Sequence, residues 1–313
     1  MRQRKIMPRA AVAGGLGAVT AGLLAFHRAL PNLPGRPAGL LETFLPWLGL
    51  AVPALLGWAL LRRSAPAAYA ALLPAAAWLW LFGGFLLPGP DPDPDGADLV
   101  AVQHNVSDEN PDPAGTARAL AATGADLIAL EELTPAALPA YAAALAPQYP
   151  YHAAGGTVGL WSKHPLADAR PVDIRPASLG EEWNRGLRAT ARTPRGAAAV
   201  YVAHLPSLRL GAHGFGSARR DESAVLLGRA LAAEPLDRVI LLGDLNSTVD
   251  DRGLAPVTAR MTRPGRDFAF SWPAALPVAR IDQVLTRSAA VVRVRTLPAT
   301  GSDHLPVVAD VRW

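Results

Sequence analysis

Val239-Ile240-Leu241-Leu242-Gly243-Asp244-Leu245-Asn246 runs from an aliphatic stretch straight into Gly-Asp-x-Asn. The run has the length and branched content of a buried strand, so its carboxylate and carboxamide stand at a strand end. Two positions apart on extended chain, Asp244 and Asn246 face the same side. One can accept the proton of an attacking water while the other orients it or binds phosphate. In isolation the pattern also fits an Asp/Asn turn whose side chains cap the backbone.

The same layout recurs along the chain. Ile281-Asp282-Gln283-Val284 and Ser302-Asp303-His304-Leu305-Pro306 flank further short apolar runs. Asp303 is a metal-ligand candidate beside the His304 imidazole, and Asp282 can hold that imidazole by a hydrogen bond, fixing its tautomer and favouring the protonated ring. Asn105 ends Leu99–Asn105, Glu131-Glu132 end the strand-like Asp126–Glu132, and His204 ends Ala197–His204. Hard oxygen donors at strand ends suit a magnesium-type ion, and a metal beside histidine suits phosphate-ester cleavage. Alternation points Glu131 and Glu132 in opposite directions, and residue type alone does not choose between them. Arg185 and Arg188, in Trp183-Asn184-Arg185-Gly186-Leu187-Arg188, are candidates for clamping a substrate phosphate by paired donors, or else solvated flanking arginines. His104, His152, His164 and His213 match no motif position and read as structural or surface residues.

Other strands are expected at Thr157–Ser162, Leu187–Arg192, Val291–Arg295 and Pro306–Val311, and helices at Pro113–Thr123, Pro135–Leu145 and Ser217–Ala233. Adjacent strands without intervening helices imply hairpins, so the sheets are not purely parallel.

Composition divides the chain. Its 313 residues carry a formal charge of +4. Residues 1–90 contain Glu42 as their one acid, leaving 22 of the 30 basic and 25 of the 26 acidic residues to the remainder. The C-terminal domain therefore shows no general nucleic-acid footprint. With no cysteine, disulfides and thiolate metal sites are excluded.

Apolar stretches at about 10–27, 44–61 and 67–87 approach the roughly 17–25 residues that span a bilayer. Trp47, Trp58, Trp78 and Trp80 suit interfacial belts, and the interior prolines Pro53 and Pro74 are tolerated better in membrane helices than in soluble ones. Arg2, Arg4, Lys5 and Arg9 precede the first stretch and Arg62-Arg63 separate the second from the third. The positive-inside rule puts both groups in the cytoplasm, so three spans leave the C-terminal domain extracytoplasmic. A cleaved signal peptide is the rival for the first stretch, but no clear small-x-small site follows it. The expected organisation is a membrane region over 1–88, a Pro/Asp spacer over 89–96 and a catalytic domain over 97–313.

Taken in this order, the clusters resemble the endonuclease/exonuclease/phosphatase superfamily over about residues 97–313. Asn105 matches the family's first strand end, Glu131-Glu132 its Gln-Glu pair, and His204-Leu205 its His-Leu. Gly243 to Asn246 match its Gly-Asp-x-Asn, Asp282 its penultimate Asp, and Ser302 to His304 its Ser-Asp-His. Glu131 departs from the usual Gln and adds a carboxylate. The resemblance implies an α/β (α+β) fold, a four-layer sandwich of two mainly antiparallel sheets flanked by helices. It implies Mg²⁺, with Mn²⁺ as the alternative, held by Glu132 with Asn105 and Asp303. Asp244 then positions or deprotonates water with Asn246 as its neighbour, while His204 and the His304–Asp282 pair stabilise the reacting phosphorus.

Three spans before such a domain resemble the VanJ-type membrane phosphatases, linked to teicoplanin resistance and to undecaprenyl-pyrophosphate-type carriers. The layout implies a multi-pass protein of the cytoplasmic membrane, a phosphorylated lipid substrate and no stable nucleic-acid partner. A tethered site meets lipid head groups at high effective concentration. The rivals are a tethered extracellular endonuclease, favoured by a basic groove of Arg185, Arg188, Arg219 and Arg220; a phospholipid phosphodiesterase; and a non-catalytic lipid or glycopeptide binding module.

Overall fold

A computed structural model of the chain describes residues 7–31, 33, 35–87, 97–211, 214–262 and 267–313. Arg2, Arg4, Lys5, the Pro/Asp spacer and His213 lie outside the described residues. The chain divides into two units, Met1–Pro88 and Gly89–Trp313.

The first unit is helical: α1 (Met7–Phe26), α2 (Pro37–Thr43), α3 (Ala51–Arg62), α4 (Ala65–Ala70) and α5 (Leu72–Phe82). Three stretches, Ala11–Ala29, Leu45–Arg62 and Ala65–Phe85, are long and apolar enough to cross a membrane. Leu60, Leu61, Tyr69, Leu72 and Trp80 point outward and are exposed, as lipid-facing side chains would be. Gly17 lets α1 approach α4: a Cβ there would collide with the carbonyl oxygen of Ala70. Pro53 and Pro74 fall in the first turns of α3 and α5, where a missing N–H breaks no helical bond, rather than in helix interiors.

The second unit packs two sheets face to face between helices. One has the order β12 (Ala290–Thr296), β13 (Val307–Arg312), β1 (Leu99–Asn105), β2 (Leu127–Glu131), β4 (Val158–Ser162), β3 (Tyr151–Gly155). The other has the order β11 (Asp282–Arg287), β10 (Val239–Asp244), β7 (Gly196–Ala203), β6 (Gly186–Thr193), β5 (Leu166–Pro171). Alternate residues of both, including Ala101, Leu127, Ala129, Val202, Ile240, Leu242 and Val284, close the inter-sheet core. The outer faces are covered by α6 (Pro113–Ala121) with α7 (Leu138–Leu145), and by α8 (Ala218–Ala233) with α9 (Ala255–Thr258). The result is a four-layer, mainly antiparallel sandwich.

Each sheet contains one parallel pair, β1 with β2 and β7 with β10. Parallel neighbours require a crossover, and α6 and α8 supply the two. Both crossovers bring two strand C-termini to the same rim, the usual place for ligands in such sheets. β11 runs antiparallel to β10 with Asp244 opposite Asp282, so the start of β11 lies at that rim as well.

Three strand regions differ from expectation. β3 and β5 are edge strands with largely exposed residues, so no apolar alternation marks them. The hairpin of β8 (Arg209–Gly211) and β9 (Gly214–Gly216) is too short and Gly-rich to carry a period. α7 begins at Leu138 rather than Pro135, because Thr134 caps a preceding turn through Ala137.

Candidate active site

Asn105, Glu132, His204, Asp244, Asp282 and His304 meet at the rim where the parallel pairs end. The local backbone is specialised there. Glu132 and Asn246, one and two residues past β2 and β10, both sit in the left-handed region, at φ 60° and 46°. For non-glycine residues this costs roughly 1–3 kcal/mol and is characteristic of functional sites. At Gly243 a Cβ would strike the carbonyl oxygen of Ala203, so glycine is required for β10 to lie against β7.

The two glutamates separate because Glu131 ends β2 while Glu132 lies just past it in left-handed backbone. Glu131 points into the inter-sheet interior, fully buried, and accepts a 2.8 Å bond from Gln103 Nε2. Burial, then Asp282 and Asp244, push its pKa well above the ordinary range, which favours the neutral acid. Glu132 faces the cleft, its Oε1 accepting from Asn105 Nδ2 at 3.0 Å and its Oε2 held by a long 3.3 Å bond from Asp108 N.

Asn105 Oδ1 accepts from Ser107 N at 3.0 Å, which directs the carboxamide nitrogen to Glu132 and to Asp244 Oδ2 at 3.1 Å. In this arrangement Asn105 positions the two carboxylates. Asn246 does likewise: its nitrogen donates to the Leu205 carbonyl at 2.9 Å and to Asp244 Oδ2 at 3.2 Å, while its N–H caps Asp244 Oδ1 at 2.9 Å. The capping turn and the site position therefore coexist, and only the Asn246 carboxamide oxygen is left to orient a water.

His304 Nδ1 lies 2.8 Å from Asp282 Oδ2. Ser271 Oγ donates to that same oxygen and Gln103 Nε2 to Oδ1, so both oxygens of Asp282 are committed. Burial opposes a charged His304, but Asp282 and then Asp244 outweigh it and raise the ring to about 10. Ser302 holds the turn by donating to the Asn105 carbonyl and accepting from His304 N. Asp244, 3.8 Å from His304 Nε2, is pushed up to about 7 by burial, against the pull of His304. A carboxylate near 7 is suited to general-base work at neutral pH.

His204 is the opposite case. Burial, then Arg185 and His304, hold it well below the usual range, so it is neutral. Arg185 Nη1 lies 3.0 Å from Nδ1 and 3.3 Å from Nε2, while Nε2 is 3.6 Å from Asp244 and 3.8 Å from Glu132. With Nδ1 accepting from Arg185, Nε2–H is left to donate into the cleft.

The two arginines part company. Arg185 belongs to the site. Arg188 does not: it is buried on the outer face of its sheet, with Nε and Nη2 paired to Glu234 at 3.0 and 2.9 Å and Nη1 on Thr190. The expected phosphate clamp at Arg188 is corrected accordingly. Asp303 is exposed on the rim, its Oδ2 3.4 Å from Trp272 Nε1, and contributes to the raised pKa of His304. His104 (bonded to Thr300), His152 (stacked on Trp161) and His164 (near Asp126) lie outside the group. Gln103 and Ser271, which orient Asp282, carry no motif signal in the sequence; only the register of β1 could have flagged Gln103, two residues before Asn105.

Asp244, Asp282 and His304 offer ligand atoms within 4.8 Å of one another. The committed oxygens of Asp282 make this trio a hydrogen-bonded relay in preference to a ligand set. Glu132, a hard donor with weakly held oxygens facing the cleft, fits a divalent ion better.

A carboxylate–imidazole relay, a second neutral histidine and a cleft-facing glutamate on this sandwich define a hydrolase of phosphate esters. The endonuclease/exonuclease/phosphatase family model matches residues 102–304, and the chain belongs to that family, whose members are metal-dependent hydrolases acting on phosphodiester bonds. Solved structures share the fold. Sphingomyelinase C from Streptomyces griseocarneus is 23% identical with a TM-score of 0.53, covering 67% of this chain and 98% of its own. A beta-toxin mutant from Staphylococcus aureus with bound magnesium ions is 16% identical (TM-score 0.53; 68% and 99%). D. rerio TDP2 complexed with a single-strand DNA product is 18% identical (TM-score 0.57; 69% and 99%). No curated protein sequence matches the chain.

Proposed function

We propose that this protein is a membrane-anchored, Mg²⁺-dependent phosphoesterase that hydrolyses a lipid-linked pyrophosphate of the undecaprenyl type, in cell-envelope metabolism or glycopeptide resistance. The observation that carries the reading is the joining of this site, in one chain, to three helical stretches apolar enough to cross a membrane. The layout resembles the VanJ-type phosphatases and favours a substrate that itself resides in the bilayer.

Glu132 would hold the ion, with Asp303 as a supporting donor, while Asn105, expected among the ligands, keeps its oxygen on Ser107 N and acts through its nitrogen. Bound there, a divalent ion supplies Lewis-acid polarisation of a phosphoryl oxygen. Asp244 takes the proton of a water that the Asn246 oxygen orients. The water oxygen bonds to the terminal phosphorus and the bridging P–O bond breaks. The bridging oxygen leaves on the lipid monophosphate. The His304 imidazolium, oriented by Asp282, and the His204 Nε2–H donate to the phosphoryl oxygens as charge builds there.

Phosphate release from undecaprenyl pyrophosphate in detergent tests the reading, comparing the full-length protein with Asp244→Ala, each with Mg²⁺ and with chelator. Release that requires both Asp244 and metal is expected. A folded protein that instead cuts DNA or a phospholipid diester would keep the chemistry and discard the substrate. The cysteine-free chain suits a topology test: Glu109→Cys, on the catalytic unit's surface, should react with a membrane-impermeant maleimide on intact cells. Labelling only after permeabilisation would put the domain in the cytoplasm.

A further inference from the structure

A cleft of about 450 Å³ adjoins the catalytic group and shares Arg185 with it. Arg185, Arg209 and Arg219 line it from three elements, the approach to β6, β8 and the first turn of α8. Trp183 and Leu179 supply an apolar wall, and the Arg185 guanidinium sits 5.3 Å from the Trp183 ring centroid. Among the described residues no carboxylate lines the cleft. Arg219 Nε donates to Ser178 Oγ at 3.0 Å, which fixes the fork and leaves its terminal nitrogens as donors. Arg209, Arg219 and Leu179 lie outside the group that the proposed mechanism assigns to the reacting phosphate.

Planar forks around a compact, carboxylate-free cleft suit a phosphate group, by charge-assisted paired hydrogen bonds. A single-stranded nucleic acid asks for something else, a basic groove that tracks the backbone over several nucleotides. Of the four arginines expected to line such a groove, two are committed elsewhere. Arg188 is buried against Glu234, and Arg220 is buried against Asp221 and Asp251 with its remaining contact on the Asn246 carbonyl. Three cations at one place, on a unit whose other charged residues are 19 basic and 25 acidic, suit one additional anionic group next to the reacting one.

We propose that the Arg209–Arg219 cleft is a subsite for the phosphate that is not attacked, so that the substrate class is a diphosphate monoester whose leaving group is itself a phosphate. The assignment rests on the phosphoesterase reading above and adds the residues that hold the leaving phosphate. Arg185, touching both the cleft and His204, would span the bridging oxygen. Trp183 and Leu179 would border the start of the apolar chain.

The test uses full-length protein in detergent, free of divalent ion because pyrophosphate binds it. Inorganic pyrophosphate and orthophosphate are titrated calorimetrically into wild type and an Arg209→Gln/Arg219→Gln variant. Both side chains are exposed, so folding is not at risk, and thermal melting checks this. Wild type should bind pyrophosphate at least tenfold more tightly than orthophosphate, and the variant should lose most of that preference. Equal affinities in wild type, or a preference intact in the variant, would overturn the subsite whatever lipid is turned over. So would a variant that loses DNA cleavage while its pyrophosphate binding is unchanged, which would make the cleft a nucleic-acid contact. If the preference behaves as expected but wild type does not hydrolyse undecaprenyl pyrophosphate with Mg²⁺, the lipid assignment fails and the subsite stands.

Discussion

The Asn105 carboxamide nitrogen lies 3.1 Å from Asp244 Oδ2, and so ties a strand end of one sheet to a strand end of the other. The same nitrogen reaches Glu132, which makes Asn105 a neutral donor shared by two carboxylates. Replacing it with aspartate would substitute a third acceptor for that donor in a buried setting. Asn105→Asp should therefore lose activity by about a hundredfold or more, as loss of a preorganised electrostatic group commonly does. Its melting temperature should also fall, and fall further as the pH rises and the new carboxyl ionises. Wild-type melting and turnover in the Asn105→Asp variant would show that the two carboxylates do not need the bridge.

His304 and Asp244 set the expected pH profile. Asp244 must be ionised to accept a proton, and before metal binds it titrates near 7. His304 must keep its proton, and does so to about 10. Rate should rise through about 7, or lower once a cation is nearby, and fall near 10, giving a broad bell. His304→Ala should lose about a hundred- to thousandfold in rate and the alkaline limb with it. An alkaline limb that survives in His304→Ala would assign it to another group. Linkage gives a second readout in the metal-free protein. A histidine with a raised folded pKa contributes stability that is full below its unfolded value near 6.5 and lost as pH rises through about 10.

Glu131 shows what the sequence could and could not convey. The alternation of Leu127–Glu131 places Glu131 on one face of its strand but does not say which face meets the partner sheet, and it does not extend to Glu132, whose left-handed backbone the sequence does not show. The fold class was legible because motif residues sit at the ends of strongly apolar strands such as Val239–Asp244. The site was legible for the same reason: Asn105, His204 and Asp244 end runs that β-propensity alone identifies. Arg185 and Arg188 were not separable, since three residues apart at a strand's start they share composition and differ only in the face reached. Edge strands β3 and β5 escaped because exposed strands need no apolar period.

The structure makes a sharp prediction at Glu131. Glu131 Oε1 is buried without a hydrogen-bond partner, which a protonated carboxyl tolerates better than a carboxylate. Because its folded pKa is raised, the unfolded chain releases this proton first, and stability falls as pH climbs above about 4.5. Glu131→Gln keeps shape and a donor while removing the titration. It should melt at or above the wild-type temperature at pH 8, with the advantage shrinking towards pH 4, and retain activity within about threefold. An Asp282-dependent loss of activity in this variant would mean that the carboxyl proton itself is used.

Arg188 tests the separation of structure from function. Its guanidinium and the Glu234 carboxylate are both buried, and Tyr201 Oη donates to the same glutamate at 2.8 Å. Burial opposes a charged Glu234, but Arg188, the Leu236 N–H and Tyr201 prevail and bring it down to about 2. Removing one member of such a pair strands the other, a loss of about 3–5 kcal/mol. Arg188→Ala should therefore melt well below wild type in the same detergent, while kcat/KM of the folded fraction stays within a few-fold. A depressed carboxylate contributes stability that is present above its unfolded pKa near 4.5 and lost as pH falls through about 2. The gap between wild type and variant should accordingly be widest above pH 5 and narrow on acidification. A variant with unchanged melting but a raised KM for its phosphate ester would return Arg188 to the substrate side.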